Sequence, residues 1–128
     1  MKSDEAKKMG GLIKMGKPEL EFFDHDLNIG WQQVEGALEG IIEKILSLDP
    51  ETGSYTRLLK FPPGMTTNET LIHDFWEEVY ILKGSLTDLN KKETYIEGMY
   101  ACRPPQMTHG PYNIPNGCMT LEIRTYVK

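Results

Sequence analysis

Residues 98–113 read Gly98-Met99-Tyr100-Ala101-Cys102-Arg103-Pro104-Pro105-Gln106-Met107-Thr108-His109-Gly110-Pro111-Tyr112-Asn113, so His109 stands between two proline breaks. No helix runs through Pro104-Pro105 or Gly110-Pro111. Upstream, His73-Asp74-Phe75-Trp76-Glu77 holds an imidazole and a carboxylate four positions apart. On a strand or strand-like turn that even spacing turns both side chains to one face. By the same parity Phe75 joins them as an apolar wall, Glu77 is expected buried, and Glu78 is expected to point out. Gly84 then reads as the tight turn ending this strand.

Working outward, the 12 glycines and 8 prolines cluster at short intervals, which favours many short strands over long helices. Tyr55–Phe61 is rich in strand formers, and Val79–Leu82 is a short apolar run. In the last segment Met119, Leu121, Ile123, Thr125 and Val127 alternate with Thr120, Glu122, Arg124, Tyr126 and Lys128, a period of two. Residues 34–48 conflict with this picture, because Val34, Leu38, Ile41, Ile42, Ile45 and Leu48 recur at helical spacing. Gly36 and Gly40 oppose a helix at about 1 kcal/mol each. The expectation is a strand over about 41–48, with 31–40 left open, in an all-β barrel or sandwich.

A chain of 128 residues has room for one domain. We divide it into an irregular arm, residues 1–30, and a barrel domain, residues 31–128. The net charge of −5 argues against nucleic acid or an anionic membrane as the main partner. No run approaches the roughly 20 apolar residues of a membrane span. The N-terminus carries both signs of charge without an apolar stretch behind it, so a cytoplasmic location is the default expectation. Cys102 and Cys118 are read as buried reduced thiols. There is no G-x-S-x-G elbow, P-loop or G-x-G-x-x-G turn.

The two histidine stretches resemble the paired motifs of the cupin superfamily. Gly98, Pro104, His109 and Asn113 match G-x5-P-x-G-x2-H-x3-N, with Gln106 at the inner glycine. Gly64, His73, Glu77 and Gly84 match G-x5-H-x-H-x3-E-x6-G, with one extra residue after Gly64. The motifs span 64–113 and the likeness extends over about 31–128. Within the superfamily the chain looks most like small single-domain members, such as anti-sigma-factor metal-binding domains and β-diketone-cleaving dioxygenases. The resemblance implies a double-stranded β-helix (jelly roll) barrel behind the short arm. It also implies a homodimer, for which Leu12, Ile13, Leu20, Phe22 and Phe23 of the arm are candidate interface residues.

The family's first histidine falls on Leu71, which cannot ligate a metal. The implied ligand set is therefore His73, Glu77 and His109, with Thr70, Glu69 or His25 as candidate replacements for the lost donor. His25 is otherwise a surface residue. Two imidazoles and a carboxylate suit Fe(II) or Zn(II), with Mn or Ni also admissible. The implied function is a metal-dependent, dioxygenase-like enzyme acting on a small organic substrate that chelates through oxygen. His73 and Glu77 are its candidate catalytic groups, and Phe75, Tyr55 and Arg57 its candidate substrate contacts. An inward Arg57 would anchor a carboxylate or enolate, whereas an outward one is a surface residue. Arg103 is expected to face solvent, and Asn113 to stabilise the loop after His109. Two alternatives stay open: a non-catalytic ligand- or metal-sensing module, and a metal-free isomerase or cyclase using His73 and Glu77 as acid and base.

Overall fold

The computed structural model describes residues 16–126. One helical turn, α1 (His25–Asn28), precedes eleven strands: β1 (Gln32–Gln33), β2 (Ile42–Leu48), β3 (Tyr55–Phe61), β4 (Met65–Thr66), β5 (Leu71–Ile72), β6 (Trp76–Asp88), β7 (Glu93–Ile96), β8 (Tyr100–Arg103), β9 (Thr108–His109), β10 (Tyr112–Ile114) and β11 (Cys118–Thr125). The expected strand over 41–48 forms as β2. In the stretch left open ahead of it, Gln32–Gln33 form β1 and the rest is a loop, in which Gly36 and Gly40 take φ of +79° and +97°. Those left-handed angles defeat the helical spacing of residues 34–48.

The strands lie in the order β1-β2-β3-β11-β6-β10-β4, with β7 and β8 also paired to β6, and β5 paired separately to β9. Every pairing is antiparallel. β6 organises the barrel by changing partners part-way: Trp76–Gly84 runs beside β11, and Ser85–Asp88 runs beside β7. Gly84 is therefore not a terminal turn. It sits inside the strand at φ +77°, where a Cβ would collide with the carbonyl oxygen of Gly117. The opposing strand carries a register shift between Met119 and Thr120, so the bend is built into both chains.

Side-chain alternation stacks the interior into rows. Leu59, Thr120 and Ile81 are cross-strand partners, as are Arg57, Glu122 and Val79, and then Tyr55, Arg124 and Glu77. Charged side chains thus gather toward one end of the barrel. The floor is a cluster of Ile81, Leu86, Tyr112, Ile114 and Cys118. Each such side chain contributes about 1.5–3 kcal/mol by leaving water. The opposite end is lined by charge.

On the outer face, Lys44 pairs with Leu58 and is only 2% exposed. The segment ahead of β1 covers it: Nζ donates to Asp26 at 2.9 Å and lies 4.9 Å from the centre of the Trp31 ring. Asp24 caps α1 by accepting from the Asp26 N–H. Of the candidate interface residues, Leu20, Phe22 and Phe23 are exposed, while Leu12 and Ile13 lie outside the described residues.

Candidate metal centre and its cavity

β6 delivers Glu77 to the inner face at 3% exposure, and Glu78 turns outward, where it accepts from the Tyr100 hydroxyl. His73 lies in the link between β5 and β6, its ring stacked on Phe75 at 4.4 Å. His109 ends β9 and is buried. The spacing argument thus joins the right residues, although the link bends at Asp74 and Phe75 instead of running as one strand. One donor atom from each of His73, Glu77 and His109 lies within 4.8 Å of the others.

The supports of this trio fix its orientation. Tyr112 Oη lies 2.6 Å from His109 Nδ1, leaving Nε2 buried and without a hydrogen-bond partner among the described residues. Glu77 Oε1 accepts from Arg103 Nη1 at 2.9 Å, and Arg103 Nη2 donates to Tyr112 Oη at 3.1 Å. Arg103 therefore does not face solvent. It pairs with Glu77 across β8 and β6, which puts both on the inner face. The same parity exposes Cys102 on the outer face, contrary to expectation, while Cys118 is buried and its thiol is pushed up to about 11 by that burial.

Burial pushes the His109 imidazole down to about 3, assisted by the neighbouring Arg103 charge, so it is neutral across the physiological range. His73 is lowered by burial and by the Arg124 charge. Glu77 is raised by burial and by the nearby Glu122 charge, against the opposing pull of Arg103. Two neutral imidazoles and a carboxylate satisfy the donor requirements of a divalent ion. The orphaned His109 Nε2 is the kind of buried atom such an ion would satisfy.

Leu71 pairs directly with His109 across β5 and β9 and lines the same cavity. The position of the missing donor is thus beside the trio. No candidate replacement fills it. Glu69 lines the cavity without joining the group, Thr70 Oγ1 donates to the Gly110 carbonyl, and His25 Nδ1 sits 3.1 Å from Lys44 Nζ on the outer face.

The trio opens on a cavity of about 400 Å³, walled by Ile41, Leu59 and Val79 and by the guanidinium groups of Arg57, Arg103 and Arg124. Arg57 faces inward, but its donors are engaged: Nε and Nη2 on Glu122, and Nη1 on Glu43 at 2.7 Å. Burial alone would lower Arg57; the charge of Glu122 and the hydrogen bond to Glu43 outweigh it and raise the group further. Phe75 and Tyr55 stand behind the lining, packed against the rings and guanidinium that form it. Asn113 lies on β10, where its Oδ1 accepts from Thr66 of β4.

This geometry can be set beside known proteins. The family model described as the ChrR cupin-like domain matches residues 21–127. The chain belongs to that cupin family. Among curated proteins there is no significant sequence match. Solved structures similar to this cupin include an RmlC-like cupin from Ralstonia eutropha, at TM-score 0.70 and 20% identity over 84% of this chain and 69% of that one. A putative acetylacetone dioxygenase from Methylibium petroleiphilum aligns at 0.69 and 22% identity, covering 91% and 86%. The polyketide cyclase RemF from Streptomyces resistomycificus aligns at 0.65 and 20%, covering 83% and 80%. Likeness at this identity shows the jelly-roll barrel.

The cupin motifs locate the trio, but they do not reveal Arg103, Arg124, Glu122 or Tyr112, which complete the site. The available signal was parity: on β11, Glu122 and Arg124 share a face with Thr120, and on β8, Arg103 shares a face with Ala101.

Proposed function

We propose that this cupin is a metal-dependent enzyme, dioxygenase-like, acting on a small organic molecule that chelates through oxygen. The convergence of His73, Glu77 and the unpartnered His109 Nε2 carries this reading. The required tautomer has the proton on His109 Nδ1, donated to Tyr112, and the lone pair of Nε2 directed at the cavity. Arg103 holds one oxygen of Glu77 and favours its ionised form, while Phe75 fixes the plane of His73. Ile41, Leu59 and Val79 keep the far wall dry. Fe(II) or Zn(II) held there would supply Lewis acidity, and Fe(II) would also supply oxygen chemistry. The structural likeness to the putative acetylacetone dioxygenase supports the choice of oxygen chemistry.

The test is oxygen uptake by Fe(II)-reconstituted protein with a panel of β-diketones, beginning with acetylacetone, and catechols. Uptake that is abolished by chelator, restored by Fe(II) and absent in His109→Ala is expected. Turnover that survives chelation would instead indicate metal-free acid–base catalysis by His73 and Glu77. The missing fourth donor at Leu71 favours one second reading, a ligand- or metal-sensing module. Metal binding and tight association with a protein partner, without turnover of any panel member, would establish it. For the assembly we propose a homodimer, supported by the exposed outer-face aromatics Trp76, Tyr80 and Tyr100.

A further inference from the structure

Three guanidinium groups line the cavity, and two of them are occupied. Arg57 is tied to Glu122 and Glu43, and Arg103 to Glu77 and Tyr112. Arg124 differs. Its Nε is buried without a hydrogen-bond partner among the described residues, and the nearest acidic oxygen, Glu77 Oε2, is 3.8 Å away.

What holds Arg124 is aromatic. Its guanidinium lies 4.5 Å from the centre of the Phe75 ring and 5.2 Å from that of Tyr55. Contact with ring faces stabilises the cation but leaves the N–H groups, which radiate in the guanidinium plane, free for acceptors. An exposed arginine would satisfy them with bulk water, but this side chain is only 19% exposed. Across β11 and β6 it is the direct partner of Glu77, so it sits beside the metal trio on the same face.

Charge points the same way. The buried and half-buried ions lining the cavity or paired with its lining are Arg57, Arg103 and Arg124 against Glu43, Glu77 and Glu122, three against three, while Asp88 is held apart by backbone N–H groups. Glu35 and Glu69 also line it, on the exposed rim where water screens them. Loading a divalent ion would leave the interior with an excess of two positive charges, which a low-dielectric site tolerates only when paired. A neutral ligand leaves that excess standing, whereas a monocarboxylate halves it.

We infer that Arg124 is the anchor for a carboxylate of the substrate, and that the substrate class is therefore a small keto or hydroxy acid in preference to a neutral diketone. This rests on the metal-dependent reading above but is separable from it. The planar fork of Arg124 takes both oxygens of the carboxylate, and the remaining oxygen of the ligand faces the trio. The role first expected of Arg57 thus passes to its neighbour one row nearer the mouth.

The test is calorimetric binding to Zn(II)-loaded protein, which avoids turnover, with a matched pair of probes: acetoacetate, and acetylacetone, which keeps the spacing of the oxygens but lacks the carboxylate. Wild type is expected to bind acetoacetate about 10- to 100-fold more tightly, the range of one charge-assisted pairing. Arg124→Met should lose that advantage while leaving acetylacetone within about threefold, and Arg124→Lys should keep part of it. Equal affinities for the two probes in wild type, or no acetoacetate binding at millimolar concentration, would overturn the inference without need of a variant. So would an Arg124→Met variant, folded by circular dichroism, that weakens both probes alike or neither. Chelator-treated protein separates the two readings. Arg124-dependent acetoacetate binding in protein that cannot retain metal would keep the anchor and remove the metal. Stoichiometric metal with equal probe affinities would do the reverse.

Discussion

At the scale of single residues, the site is defined as much by what orients the donors as by the donors themselves. The Tyr112 hydroxyl is 2.6 Å from His109 Nδ1 and is also bound by Arg103. Tyr112→Phe removes that support with almost no change in volume. Metal affinity should fall about 10- to 100-fold, read by competition with a chromogenic chelator, while the barrel stays folded. An unchanged affinity would mean that the hydroxyl does not set the tautomer. Leu71 gives the converse prediction. Because it is the cross-strand partner of His109 and lines the cavity, Leu71→His should restore a fourth donor. Affinity in the same competition assay should rise at least about tenfold, the equivalent of 1.4 kcal/mol.

At the scale of elements, the loop carrying His109 depends on a buried carboxylate at the end of β6. Asp88 is 1% exposed and accepts from the backbone N–H groups of Asn90, Lys91 and Gly110. Burial alone would raise its carboxyl, but those three donors outweigh it and hold the group below its ordinary 3.8. A carboxyl depressed in the folded state stabilises fully above its unfolded pKa, and the contribution is lost as pH falls through the folded value. Asp88→Asn should therefore cost about 1–3 kcal/mol at neutral pH by urea denaturation, with the gap to wild type closing in strong acid. A gap independent of pH would contradict the assignment.

The elements also show what could be read from sequence. The strands around residues 42–48, 55–61 and 118–125 were legible from turn residues and alternation, and the cupin motifs led to His73, Glu77 and His109. The orientation of β11 was less so. Its apolar set, Met119, Leu121 and Ile123, would ordinarily be assigned to the core, yet the barrel turns Thr120, Glu122 and Arg124 inward. The interior there is polar, built from the Arg57–Glu122 pair and the Arg124–Glu77 row. Arg103 departs from the expected solvent-facing position for a related reason: its partners Glu77 and Tyr112 become neighbours only when β8 and β10 pair with β6. The ion pairs of Arg57 span 14 and 65 residues, beyond any local pattern.

At the scale of the whole molecule, the barrel separates an apolar floor from a charged, metal-competent end, and its outer sheet is dressed differently on its two flanks. The segment ahead of β1 covers Lys44, while Trp76, Tyr80 and Tyr100 on β6 and β8 are 41%, 42% and 59% exposed. Tyr80 and Tyr100 are cross-strand partners, so their rings form one patch. A homodimer through this patch should show twice the chain mass in light scattering, and Tyr100→Glu should shift it to monomer without lowering metal content. A monomeric wild type would remove the dimer from the account.

The measurement that bears most directly on the central claim is elemental mass spectrometry of untagged protein beside His109→Ala. Near-stoichiometric iron or zinc in the wild type, lost in the variant, is the result the account predicts. No retained metal in the wild type, even after reconstitution with Fe(II), would contradict it.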